Sequence, residues 1–135
     1  MTLNPANSYH MHFKAFLDAI SPDLVTDPSA VAALPAPQAD RVIAEILSCA
    51  CQATHASLIE LGRDAAASLP RPWLLERIEG IADRMLNYDD DWEYRCLLEL
   101  YERLDASLLS RLITRGIDSP NADIAEAAQD FSRSR

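Results

Sequence analysis

The chain has 135 residues, 49% of them hydrophobic, with 12 basic against 21 acidic side chains and a formal charge of −9. A chain of that length buries about two thirds of its unfolded surface in one domain and needs no disulfide or metal staple. The acidic balance argues against direct binding to nucleic acid or an anionic membrane, both of which call for basic patches, and points to a basic partner.

Every periodic segment recurs at helical spacing and no run alternates with period two over a strand's length, so the expected fold is all-α. The first helix runs from Ser8 to Ile20, with Phe13, Phe16, Leu17 and Ile20 on one face, and stops before Ser21-Pro22. Pro22, Pro28, Pro35 and Pro37 leave room only for a short helix near Ser29 to Leu34, which makes residues 1–37 an N-terminal helix and a proline-rich connector. Residues 38–135 then form a helical-hairpin core within the same domain. Its first helix, over residues 38–52, is poorly charged and built on Val42, Ile43, Ile46, Leu47 and Ala50. The next covers residues 54–68, where Gly62 and the alanines behind it allow a neighbouring helix to approach closely. Leu69-Pro70-Arg71-Pro72 breaks the chain, and Pro72 suits the first turn of a helix reaching residue 87, with Leu74, Leu75, Ile78, Ile81, Ala82, Met85 and Leu86 inward.

The stretch Tyr88-Asp89-Asp90-Asp91-Trp92-Glu93-Tyr94-Arg95 follows, the densest acidic and aromatic turn in the chain. Asp90 is placed as an N-cap and Glu93, three residues on, as its capping-box partner, so that two orphan donors find acceptors. Helix N-termini favour acids in any case. Capping nevertheless accounts for only two carboxylates, and Asp89 and Asp91 remain beside Tyr88 and Trp92, a combination suited to a docking surface. The helix so opened runs to Leu104, with Asp91 to Arg95 and Glu99 to Arg103 as favourable i,i+4 pairs. Asp105 caps the next helix, which ends near Gly116, and Ser119-Pro120-Asn121 starts the last, with Ile124, Ala127, Ala128 and Phe131 apolar.

Little in the chain points to chemistry. His10 and His12, like Cys49 and Cys51, are i,i+2 pairs whose members point to different helix faces, and Cys96 sits at an apolar helix position. Neither a metal nor a cofactor is expected, and an odd count of three cysteines without a secretory segment fits reduced thiols in the cytoplasm. Three glycines supply neither a nucleophile elbow nor a phosphate-binding loop, and His55 is a lone candidate base, so no enzymatic activity is expected. Trp73, at a helix start, reads as structural. Glu60 and Asp64 form a like-charge i,i+4 pair, which marks a second surface shaped for a basic partner unless Arg63 neutralises it. The candidate partner-binding residues are therefore Tyr88, Asp89, Asp91, Trp92, Glu60 and Asp64.

Leu74-Leu75-Glu76-Arg77-Ile78 and Leu108-Leu109-Ser110-Arg111-Leu112 resemble one another, with Trp92 and Ile124 in similar places after each, a period of roughly thirty-odd residues. The unit is a helical hairpin, and antiparallel hairpins stacked into a HEAT-like superhelical layer are the expected architecture. Asn121-Ala122-Asp123-Ile124-Ala125-Glu126-Ala127-Ala128 resembles the second-helix signature of HEAT repeats, with Ala125 where an Arg is usual. More broadly, the segment from Ala56 to Phe131 resembles small all-helical immunity proteins of bacterial polymorphic-toxin and contact-dependent growth inhibition systems. The resemblance rests on Leu69-Pro70-Arg71-Pro72-Trp73-Leu74, on Asp90-Asp91-Trp92-Glu93-Tyr94-Arg95-Cys96-Leu97-Leu98-Glu99-Leu100 and on the terminal hairpin. It implies a cytoplasmic protein, monomeric or weakly dimeric, that binds a cognate toxin domain and protects the producing cell. Acidic immunity proteins often face basic nucleases, where carboxylates take the positions of nucleic-acid phosphates. The alternative expectation is an interaction scaffold or regulatory adaptor of the same fold.

Overall fold

A computed structural model describes residues 1–134, and among them every regular element is a helix. Helix α1 (Ser8–Ile20) is capped by the Asn7 side chain, which accepts from the Tyr9 and His10 amides, and it buries Phe13 and Leu17. Asp27 caps a short 3-10 helix, Pro28–Ala33, whose Val31 is buried. Helix α2 (Ala36–Leu47) begins two residues before the expected start, because Pro37 falls in its first turn, where no backbone donor is needed. Its far end departs from the α-helix as well. Ser48–Gln52 widens into a π-helical turn that buries Cys49, Ala50 and Cys51.

Helix α3 (Ala56–Ser68) starts after His55 rather than at Thr54, since the His55 ring itself supplies the cap. The single helix expected over residues 72–87 is instead two, α4 (Arg71–Leu75) and α5 (Ile78–Met85). Arg77 makes the break. Its amide bonds to the Leu74 carbonyl at 3.0 Å, three residues back. Its guanidinium donates to the Trp73 carbonyl at 3.1 Å and lies over the Trp73 ring, 4.7 Å from the centroid. That carbonyl would have accepted the Arg77 amide in a continuous α-helix. Helices α6 (Asp91–Leu104), α7 (Ala106–Gly116) and α8 (Ala122–Arg133) begin after side-chain caps at Asp90, Asp105 and Asn121.

Helix α2 packs against α3 and α5, while α6 lies against the π turn, α3, α7 and α8. One apolar cluster extends from Phe13 to Ala128, with Leu97, Leu98 and Leu100 fully buried on α6. Gly62 explains the close approach of α3 to the π turn, because a Cβ there would lie 2.6 Å from the Ala50 backbone nitrogen. The two C-terminal hairpins are joined by contacts between residues thirty-two apart in sequence: Arg111 to Glu79 at 2.8 Å, Arg115 to Asp83 at 2.9 Å and Asn121 Nδ2 to the Asp89 carbonyl at 3.1 Å.

Two local expectations are corrected. The intrahelical pairs Asp91 to Arg95 and Glu99 to Arg103 do not form; Arg95 reaches Asp130 on α8 at 3.3 Å, Arg103 reaches Asp64 on α3 at 2.7 Å, and Glu99 accepts from Arg63. With a helix on either side of α6, each long side chain finds a partner across the seam. The capping box is also half made. Asp90 Oδ1 accepts from the Glu93 amide at 3.0 Å, whereas the Glu93 carboxylate turns to Gln52 Nε2 at 3.1 Å and the Asn87 amide at 3.4 Å. The Asp90 amide is satisfied by the Asn87 carbonyl at 3.1 Å.

Candidate functional site

The acidic turn is rigidly built. Asn87 Oδ1 accepts from the Asp89 amide at 3.0 Å, and the Asp89 carbonyl accepts from Asn121 Nδ2, so both backbone polar groups of Asp89 are held. The carboxylates of Asp89 and Asp91 are exposed and join no ion pair among the described residues. Trp92, in the first turn of α6, is 46% exposed even though its indole N–H donates to the Ala53 carbonyl at 2.8 Å. That bond ties the start of α6 to the segment that precedes α3.

Between α3 and α6 runs an open groove of about 770 Å³, whose polar walls are Glu60, Arg63, Asp64, Glu99, Glu102 and Arg103, with Ile59 and Phe131 as apolar floor. Helical spacing puts Trp92, Glu99 and Arg103 on one stripe of α6, and Glu60 and Asp64 on the facing stripe of α3. Both groove arginines are engaged, Arg63 with Glu99 and Arg103 with Asp64. Arg63 therefore does not neutralise the Glu60 and Asp64 pair. Glu60 and Glu102 are exposed and unpaired among the described residues, which leaves the groove with four carboxylates against two guanidiniums.

The structure thus brings Glu60 and Asp64 into one groove with Glu99 and Glu102; Trp92, Asp89 and Asp91 lie outside its lining, around the start of α6. Tyr88 stands apart. It is half-buried beside α5 and α7, its hydroxyl donates to Asp83 Oδ1 at 2.7 Å, and the Arg115 guanidinium covers its ring at 4.3 Å. Burial first, then the Asp83 hydrogen bond, push its phenol well above the usual range.

The three thiols are muted by burial. Cys49, Cys51 and Cys96 are free and buried. Desolvation, reinforced by the Glu45 charge, pushes the Cys49 thiol up to about 12; desolvation, reinforced by Glu99, pushes Cys96 up to about 11. Cys51 is raised further by burial. A thiol held protonated at neutral pH is a poor nucleophile and a poor metal ligand. Among the described residues no group of His, Cys, Asp and Glu has an arrangement that could hold a metal ion. His55 caps α3, its Nδ1 accepting from the Ser57 amide at 3.2 Å.

Sequence reasoning overlooked Tyr9, which is 37% exposed and packs on His55 with ring centroids 4.8 Å apart. The available signal was its place four residues before Phe13, at the end of the apolar stripe of α1, although periodicity cannot tell where such a stripe leaves the core. No known family, curated protein or solved structure matches the chain.

Proposed function

We propose that this protein is a cytoplasmic immunity protein that binds a cognate bacterial toxin domain and neutralises it by covering its active or substrate-binding surface. The observation that carries the reading is the acidic groove between α3 and α6, together with an exposed and hydrogen-bonded Trp92 in the first turn of α6. A fixed indole supplies contact area with little loss of side-chain freedom, and unpaired carboxylates beside it attract a basic surface. A basic nuclease is the fitting target, because its phosphate-binding positions complement Glu60, Glu102, Asp89 and Asp91. The action is by binding, without turnover and without a cofactor.

The test lies next to the gene. The reading frame directly upstream should encode a large protein with a variable C-terminal domain that arrests growth when expressed alone and is harmless when co-expressed with the present chain. The purified domain should form a stable complex with it. A toxic domain that neither binds nor is silenced would sink the reading. A second reading, an interaction scaffold built from stacked hairpins, draws on the contacts that join residues thirty-two apart. That reading expects a partner that does no harm by itself, so the same growth assay separates the two.

A further inference from the structure

Among the described residues the exposed large hydrophobic side chains are Tyr9 and Trp92, and the two flank one short segment, residues 53–55. Trp92 bonds to it through the Ala53 carbonyl, and Tyr9 packs on His55. The Tyr9 side is braced further, because Asn7 Nδ2 donates to Ser57 Oγ at 2.8 Å and so ties the start of α1 to the start of α3. A ring held this way loses little freedom when a partner arrives.

Beside Tyr9 a cavity of about 370 Å³ opens between α1 and the end of α2, with Tyr9, Phe13 and Leu58 as apolar walls and His12, Glu45, Ser48, Cys49 and Gln52 as its polar side; among the described residues neither the His12 nor the Ser48 side chain is hydrogen-bonded to the Glu45 carboxylate. The half-buried Glu45 carboxylate has no ion-pair partner among the described residues; its side-chain contact is the Cys49 thiol, with sulfur 3.9 Å away. Gln52 offers it no donor, since its amide nitrogen is turned to the Met85 carbonyl at 3.3 Å and to Glu93 at 3.1 Å. An uncompensated anion facing aromatic rings is the complement of a cation on an apolar stem. A guanidinium fits best, because its plane can lie on a ring while its N–H groups bond to one carboxylate.

We propose that this cavity receives an arginine side chain of the partner, with the guanidinium paired to Glu45 and stacked on Tyr9. The inference rests on the reading of the protein as a partner-binding module, and it adds a second anchor point across residues 53–55 from Trp92. A basic loop laid over that segment would engage both.

The test needs no partner. Nα-acetyl-arginine amide is titrated into the isotope-labelled protein and followed by NMR, beside the citrulline analogue, which keeps the shape and loses the charge. Saturable shifts are expected at Tyr9, Phe13 and Gln52 with the arginine probe, and a response about fivefold weaker or less from citrulline and from the Glu45→Gln variant. Glu45→Gln should keep the melting temperature of the wild type. Equal shifts from both probes, or arginine shifts confined to the Glu60 and Glu102 groove, overturn the inference. The toxin reading fails separately: if no toxin exists but the probe still fills the cavity, the arginine site stands. If a toxin binds wild type and Glu45→Gln alike while the probe stays silent, the arginine site falls and the toxin reading stands.

Discussion

Replacing Gly116 with alanine should destabilise the protein more than any exposed substitution, for a reason visible at one contact. A Cβ at this position would overlap the Tyr94 hydroxyl and lie 2.5 Å from its Cζ. Tyr94 cannot yield easily, being 1% exposed with its hydroxyl donating to the Leu112 carbonyl at 2.7 Å. Overpacking of this kind costs about 1–3 kcal/mol. Displacing the phenol also forfeits a hydrogen bond of about 1 kcal/mol. The intrinsic helix gain of alanine over glycine, about 1 kcal/mol at most, offsets part of this, less so at the last residue of α7. The net expectation is a loss of about 2–3 kcal/mol, equivalent to a fall of about 10 °C in melting temperature for a chain of this size. Thermal and urea unfolding followed by circular dichroism would measure it. Combining Gly116→Ala with Tyr94→Phe should give a smaller loss than the sum of the single changes, because the closest clashing atom is gone. A Gly116→Ala protein as stable as the wild type, or strict additivity in the double variant, would refute the packing argument.

Asp90→Ala should lower stability by about 1 kcal/mol through loss of the α6 cap, while leaving partner binding nearly intact, as checked by urea unfolding beside a binding titration. The double change Asp89→Lys with Asp91→Lys should leave the helical spectrum and melting temperature within scatter, since exposed charges contribute little to folding. At low salt it should slow association with the toxin domain by about tenfold or more, and unchanged rates would remove this turn from the interface. The raised thiols predict that alkylation at neutral pH requires unfolding, so labelling of native protein at the rate of a free thiol would contradict it. Because these groups titrate higher in the folded state than in the unfolded chain, the stability they confer is complete below the ordinary value of 9.0. It is lost as pH rises through about 11 at Cys96 and about 12 at Cys49, and a pH series of urea midpoints should fall in that window.

Most helices, and the starts of α1, α6, α7 and α8, were legible in the sequence because those signals are local. Asp90 and Asp105 cap the helices they were expected to cap, and Asn121, in the stretch expected to start the last helix, caps it, since a side-chain oxygen and an amide two or three residues on meet wherever the helix forms. The apolar stripes of α6 and α7 likewise face the core, because helical periodicity sorts residues without knowledge of neighbours. Interruptions were less legible. The break at Arg77 depends on a guanidinium bound over Trp73, and the π turn coincides with Gly62 pressed against Ala50.

For the arginines of α6 the charge partners were decided by the tertiary structure, whereas Lys14 and Asp18 on α1 pair at the local i,i+4 spacing. Arg95 and Arg103 had acidic neighbours one turn away on their own helix, yet they pair with Asp130 and Asp64, which arrive from helices dozens of residues distant. On an isolated helix only charges one turn away are within reach; in a packed layer the facing helix brings further carboxylates to the same guanidinium, and these pairs form although they remain exposed. The same rule sorted the candidate residues. Tyr88 adjoins Asp89 in the chain but is drawn under Arg115, while Glu60 and Asp64 share a groove with Glu99 and Glu102 across α3 and α6, and Tyr9 meets His55 from dozens of residues away in the chain. Sequence order fixes which residues are available to a helix. Only packing decides which helix faces adjoin, and a binding surface is a property of adjoining faces.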